Sequence, residues 1–68
     1  MMRAKVNGDV IDLEASKTIA ALVQEVTGSP EQRGVAVARN GEIVRRDGWS
    51  QAVEEGDEIE IVRAVQGG

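Results

Sequence analysis

Apolar positions along this chain change period twice, and the changes delimit its elements. Met2, Ala4 and Val6 alternate with Arg3, Lys5 and Asn7, the period-2 pattern of a half-buried strand. Asn7-Gly8-Asp9 follows as a hairpin signal, because a type I′ turn needs positive φ at both central positions. Val10-Ile11-Asp12-Leu13 returns as a second strand, with Ile11 and Leu13 expected inward. After the polar connection Glu14–Lys17 the spacing lengthens. Ile19, Leu22, Val23 and Val26 fall at i, i+3, i+4 and i+7, one stripe of a helix. Thr18 is placed to cap its start, Gly28 to end it in a left-handed conformation, and Ser29-Pro30 to stop it resuming.

Strand signals then return. Val35 and Val37 alternate with the small Ala36 and Ala38, Asn40-Gly41 marks a second hairpin, and Glu42-Ile43-Val44 is a short partner strand. Arg45 to Ala52 has no long period and reads as an irregular crossover with a short helical turn around Trp49. Glu55-Gly56-Asp57 opens a last strand in which Glu58 and Glu60 alternate with Ile59 and Ile61. The order is strand, strand, helix, strand, short strand, strand. A single helix covers one face of such a sheet, so the expected class is α+β in two layers. The helix stripe packs on one face. The other face stays open, and on so small a protein an open face is where partners dock.

Composition narrows the function. At 68 residues there is room for one small core and not for a deep catalytic cleft. Cysteine and histidine are both absent, which removes disulfides, zinc-thiolate sites and the commonest general base. No catalytic residue and no metal site is expected. Twelve acidic residues against eight basic give a net charge of −4, which argues against nucleic acid and for a partner with a basic surface. No run approaches the length of a membrane span. Met1-Met2-Arg3-Ala4-Lys5 puts polar residues where a signal peptide needs its apolar run, so a cytoplasmic location is expected.

Gly67-Gly68 follows directly on the last strand. Two glycines there neither turn a chain nor cap a helix. Taken alone they read as a frayed terminus; the alternative expectation is a narrow peptide with a carboxylate and no Cβ to obstruct a tight channel. The division expected is a folded domain over residues 1–65 and a flexible diglycine tail over 66–68.

The strand order matches the β-grasp fold, with first and last strands parallel and adjacent in a mixed sheet of four to five strands and one helix on one face. The match goes further. Asn40-Gly41-Glu42-Ile43-Val44-Arg45-Arg46, Trp49, Glu55-Gly56-Asp57-Glu58-Ile59-Glu60-Ile61 and Gly67-Gly68 together resemble the thiamine-biosynthesis sulfur carriers, the ThiS family of ubiquitin-like proteins. Met2 to Val6 and the helix from Thr18 extend the resemblance over nearly the whole chain. The pair Val65-Gln66 departs from it, since the family more often carries an apolar-small pair there.

The resemblance implies a protein co-substrate and not an enzyme. An E1-like adenylating enzyme (ThiF-like) would use MgATP to activate the carboxylate of Gly68, with no cofactor bound to the carrier itself. Sulfur from a cysteine-desulfurase persulfide would replace AMP. A thiazole synthase (ThiG-like) would take the sulfur from the resulting thiocarboxylate. Gly67 and Gln66 would form the tail of a carrier monomeric when free. From the residues themselves, with Ile59 and Ile61 inward, alternation turns Val62 to the open side near the tail, so Val62 and Val65, with Ala36 and Ala38 as a flat floor nearby, are the expected partner-binding surface. The same chemistry would serve a molybdopterin-synthase small subunit, another diglycine carrier or a ubiquitin-like modifier. A β-grasp binding module is the reading from a different class.

Three side-chain groups carry double readings. Trp49 reads as a core or edge-covering residue more than a stacking platform. Arg45-Arg46 reads as a solvated pair, or as a hold for a partner's acid. Glu54, Glu55, Asp57, Glu58 and Glu60 read as a soluble face, or as a field steering a basic partner.

Overall fold

The computed structural model describes residues 1–28 and 33–63. Within them β1 (Met2–Val6), β2 (Asp9–Leu13), α1 (Ile19–Thr27), β3 (Val35–Arg39), β4 (Glu42–Val44), a 3-10 turn (Arg46–Gly48) and β5 (Glu58–Arg63) follow in order. The strands form one sheet in the order β2-β1-β5-β3-β4. β5 lies at its centre, parallel to β1 as expected, and antiparallel to β3.

Local chemistry accounts for the turns. Asn7 and Gly8 adopt φ of 50° and 90°, and Asn40 and Gly41 adopt 52° and 85°, the double left-handed geometry of hairpin turns. Helix α1 begins where the Thr18 hydroxyl accepts from the Ala21 N–H at 3.1 Å. It ends at Gly28, whose φ is 72° and whose N–H donates to the Gln24 carbonyl.

The core joins Ala4, Val6 and Leu13 of the first hairpin, Ile19, Leu22 and Val23 of α1, Val37, Ile59 and Ile61 of the sheet, and Trp49 and Val53 of the crossover. Val26, expected on the buried stripe, is instead 44% exposed. Its bearing is central to the stripe, so its place along the axis exposes it. Seven residues past Ile19, about 10 Å along the helix, it lies in the last turn, past the buried Leu22 and Val23.

The crossover is irregular in outline but anchored throughout. Ile19 and Ala20 donate their N–H groups to the carbonyls of Gln51 and Trp49, and Val53 donates to Lys17. Two orphan donors of the helix start are thus satisfied by a segment thirty residues downstream.

Candidate functional site: the open sheet face and the strand leading to the diglycine

Residues paired across antiparallel strands share a face. The pairs Ala36↔Val62 and Ala38↔Glu60 between β3 and β5, and Ala38↔Ile43 between β3 and β4, set one continuous surface on the side away from α1. Val62 is 62% exposed and Ile43 73%. Ala36 is exposed and Ala38 half-buried, so two larger apolar side chains flank a flat alanine floor. Glu58 and Glu60 alternate onto the same face of β5 and are exposed.

Of the surface residues expected from sequence, Val62, Ala36 and Ala38 are therefore brought together. Val65, Gln66, Gly67 and Gly68 lie outside the described residues. Ile43 is the addition. Its signal was present, because two apolar residues in succession, Ile43-Val44, cannot both face the core of a strand. The register sends Val44 toward Val37 and Ile43 outward.

Asp57 is a correction to the acidic face. Glu54, Glu55, Glu58 and Glu60 are exposed, whereas Asp57 is buried. One carboxylate oxygen lies 2.8 Å from Arg39 Nη2 and accepts from the Glu54 N–H at 2.8 Å; the other accepts from Asn40 Nδ2 at 3.1 Å. Burial works to raise its pKa. The hydrogen bonds from Glu54, Asn40 and Arg39, with the arginine's charge, outweigh that and hold it below the ordinary value. The Asn40 side-chain Oδ1 accepts from the Glu58 N–H, tying the same cluster to the start of β5.

Trp49 is buried, as its core reading required, and its indole N–H donates to the Val44 carbonyl at 3.2 Å. Arg46 is exposed but not simply solvated. Its guanidinium carbon lies 4.7 Å from the Trp49 ring centroid, a cation–π contact. Arg45 is exposed. Among the described residues no group of three acidic, His or Cys side chains could hold a metal, and no helix is long and apolar enough to cross a membrane.

A central β5 parallel to β1, with α1 on one face and the other face open, is the ubiquitin-like β-grasp arrangement. The model of the ThiS family matches residues 2–68, and the chain belongs to that family. A thiazole synthase of Paramagnetospirillum magneticum (strain ATCC 700264 / AMB-1) is 41% identical over 68 residues, covering 98% of this chain and 20% of that protein. The chain thus spans about a fifth of the length of this curated relative. The crystal structure of a thiamine biosynthesis protein (ThiS) from Geobacter metallireducens superposes with a TM-score of 0.70 at 25% identity, over 98% of this chain and all of that one. The solution structure of a thiamine biosynthesis protein from the same organism gives 0.71 at 24%, covering 98% and 88%. SAMP1 from Haloferax volcanii, at 0.58, 21% identity and 98% of both chains, shares the fold.

Proposed function

We propose that this protein is a sulfur carrier whose reactive group is the carboxylate of Gly68. An E1-like enzyme with MgATP joins that carboxylate to AMP and releases pyrophosphate. The terminal sulfur of a persulfide, supplied by a cysteine desulfurase, attacks the acyl carbon and expels AMP. Cleavage of the S–S bond by a thiol leaves a thiocarboxylate on Gly68. A carboxylate oxygen is a poor leaving group and AMP is a better one, so activation does the chemistry that the carrier's own side chains cannot. The carrier is a protein substrate and not a catalyst, in keeping with a sequence that has neither His nor Cys.

The single observation that carries this reading is the ThiS-family match running to Gly68, five residues past the last described position of the central strand. Five extended residues reach about 16 Å, enough to enter a partner's site while the folded domain stays outside. The likeness to a protein named thiazole synthase supports thiazole formation for thiamine as the destination of the sulfur. The face of Val62, Ala36, Ala38 and Ile43, with Glu58 and Glu60 beside it, is proposed as the docking surface for the activating enzyme and the synthase.

The test is incubation with a ThiF-type enzyme, MgATP and a persulfide donor, followed by intact-mass spectrometry. One oxygen exchanged for sulfur, located on Gly68 by fragmentation, is expected. No mass gain, in a reaction where an established carrier gains it, would remove the assignment.

A further inference from the structure

Asn7 holds the first central position of the β1–β2 turn at φ 50°, which asparagine tolerates better than most residues. The turn needs only that backbone. The side chain has separate work. Its Oδ1 accepts from the Ile61 N–H at 2.8 Å and its Nδ2 donates to the Ile61 carbonyl at 3.3 Å. One side-chain amide thus meets both backbone groups of one β5 residue, as a paired strand would.

The location gives this contact its meaning. The register of β1 on β5 ends at Val6↔Ile59, and the Asn7 N–H donates to the Ile59 carbonyl at 2.9 Å. The chain then leaves through Asn7-Gly8. On this side of β5, Ile61 is held by the Asn7 amide in place of a strand. Strand alternation makes Arg63 the next residue to present its backbone to that side, and the register of β1 does not extend to it. On the other side β3 continues to Val35↔Arg63.

We propose that Asn7 is a positioning residue: its amide sets how far β5 is held from both sides, and so where the segment leading to Gly68 is handed to a partner. The consequence for transfer rests on the carrier reading above; the clamp on Ile61 does not. Without the amide, two-sided support would stop at Ile59. The activating enzyme would then have to order a longer stretch of chain to place the same carboxylate. That penalty falls on capture of the carrier, while chemistry on the bound tail is unaffected.

Two variants separate the amide from the turn. Asn7→Gly accepts the positive φ and removes the side chain; Asn7→Asp keeps an oxygen to accept from the Ile61 N–H. Amide hydrogen exchange and steady-state pyrophosphate release by the adenylating enzyme, at varied carrier concentration, are measured on the full chain. In Asn7→Gly the Ile61 amide should exchange about tenfold faster, the loss of one net hydrogen bond, while the Glu60 and Val62 amides facing β3 keep their protection. The KM for the carrier should rise several-fold with kcat unchanged, and Asn7→Asp should restore most of the Ile61 protection. Unchanged Ile61 exchange in Asn7→Gly, or faster exchange with an unchanged KM, overturns the proposal. If the wild-type chain is not adenylated at all, the carrier reading falls with its consequence for transfer, and the exchange data alone decide the clamp.

Discussion

Arg39 and Asp57 form an ion pair of 2.8 Å in which the carboxylate is buried and the guanidinium largely covered. The pair joins β3 to the loop that enters β5, and Asp57 accepts two further hydrogen bonds there. A folded-state pKa below the ordinary 3.8 means the native state binds this proton less readily than the unfolded chain. The resulting stabilisation is fully present above the unfolded value and is lost as pH falls through the folded one. Chemical denaturation from pH 7 down to 2 should therefore show stability declining below about pH 4. Asp57→Asn should flatten part of that decline. Asp57→Ala should cost about 2–4 kcal/mol at pH 7, since Arg39 and the Glu54 N–H would lose their acceptor.

Ile43→Ser and Val62→Ser test the open face. Both side chains are mostly exposed, so each variant should stay within about 0.5 kcal/mol of wild-type stability. Each should nevertheless raise the carrier concentration needed for half-maximal adenylation, by an amount consistent with losing about 1 kcal/mol of apolar contact. Titration of the activating enzyme with each variant gives the comparison. Equal values for variants and wild type would place docking elsewhere.

Gly67→Ala probes the approach to the carboxylate proposed to react. Its thermal unfolding should match wild type, while the rate of thiocarboxylate formation should fall at least tenfold because a new Cβ must enter the channel that two glycines pass. Intact-mass time courses measure this. A wild-type rate would mean that the partner's channel is wider than the diglycine requires.

Trp49 and Val26 test the packing. Trp49→Phe retains much of the ring but removes the donor to the Val44 carbonyl, and should cost about 1–3 kcal/mol. Leu22→Ala, at a fully buried helix position, should cost about 2–5 kcal/mol. Val26→Ala should change stability by less than about 1 kcal/mol despite its place on the same stripe. Urea denaturation of the three variants measures all of these.

Much of this was legible beforehand because it is local. Asn7-Gly8 and Asn40-Gly41 specify their turns through the φ values those residues accept. Thr18 and Gly28 bound the helix through hydrogen bonds only a few residues long. Period-2 alternation gave the faces of β1 and β5 correctly, Val62 included. The exposure of Val26 was hidden because periodicity records direction around a helix axis and not whether anything lies opposite. Asp57 looked like one more acid in an acidic stretch, since its burial depends on Arg39 and Asn40, eighteen and seventeen residues away in sequence.

The sequence by itself determined the order and type of the elements, the absence of His and Cys, and the Gly67-Gly68 pair on which the proposed chemistry rests. These are properties of single residues and of short-range spacing. Only the tertiary structure decided which side chains converge: that Ile43 joins Val62 on the open face, that Asp57 is buried against Arg39, and that Asn7 grips Ile61 across fifty-four residues of chain. Sheet register makes those choices. It is a long-range pairing set by the packing of the whole core, and no short window of the chain contains it.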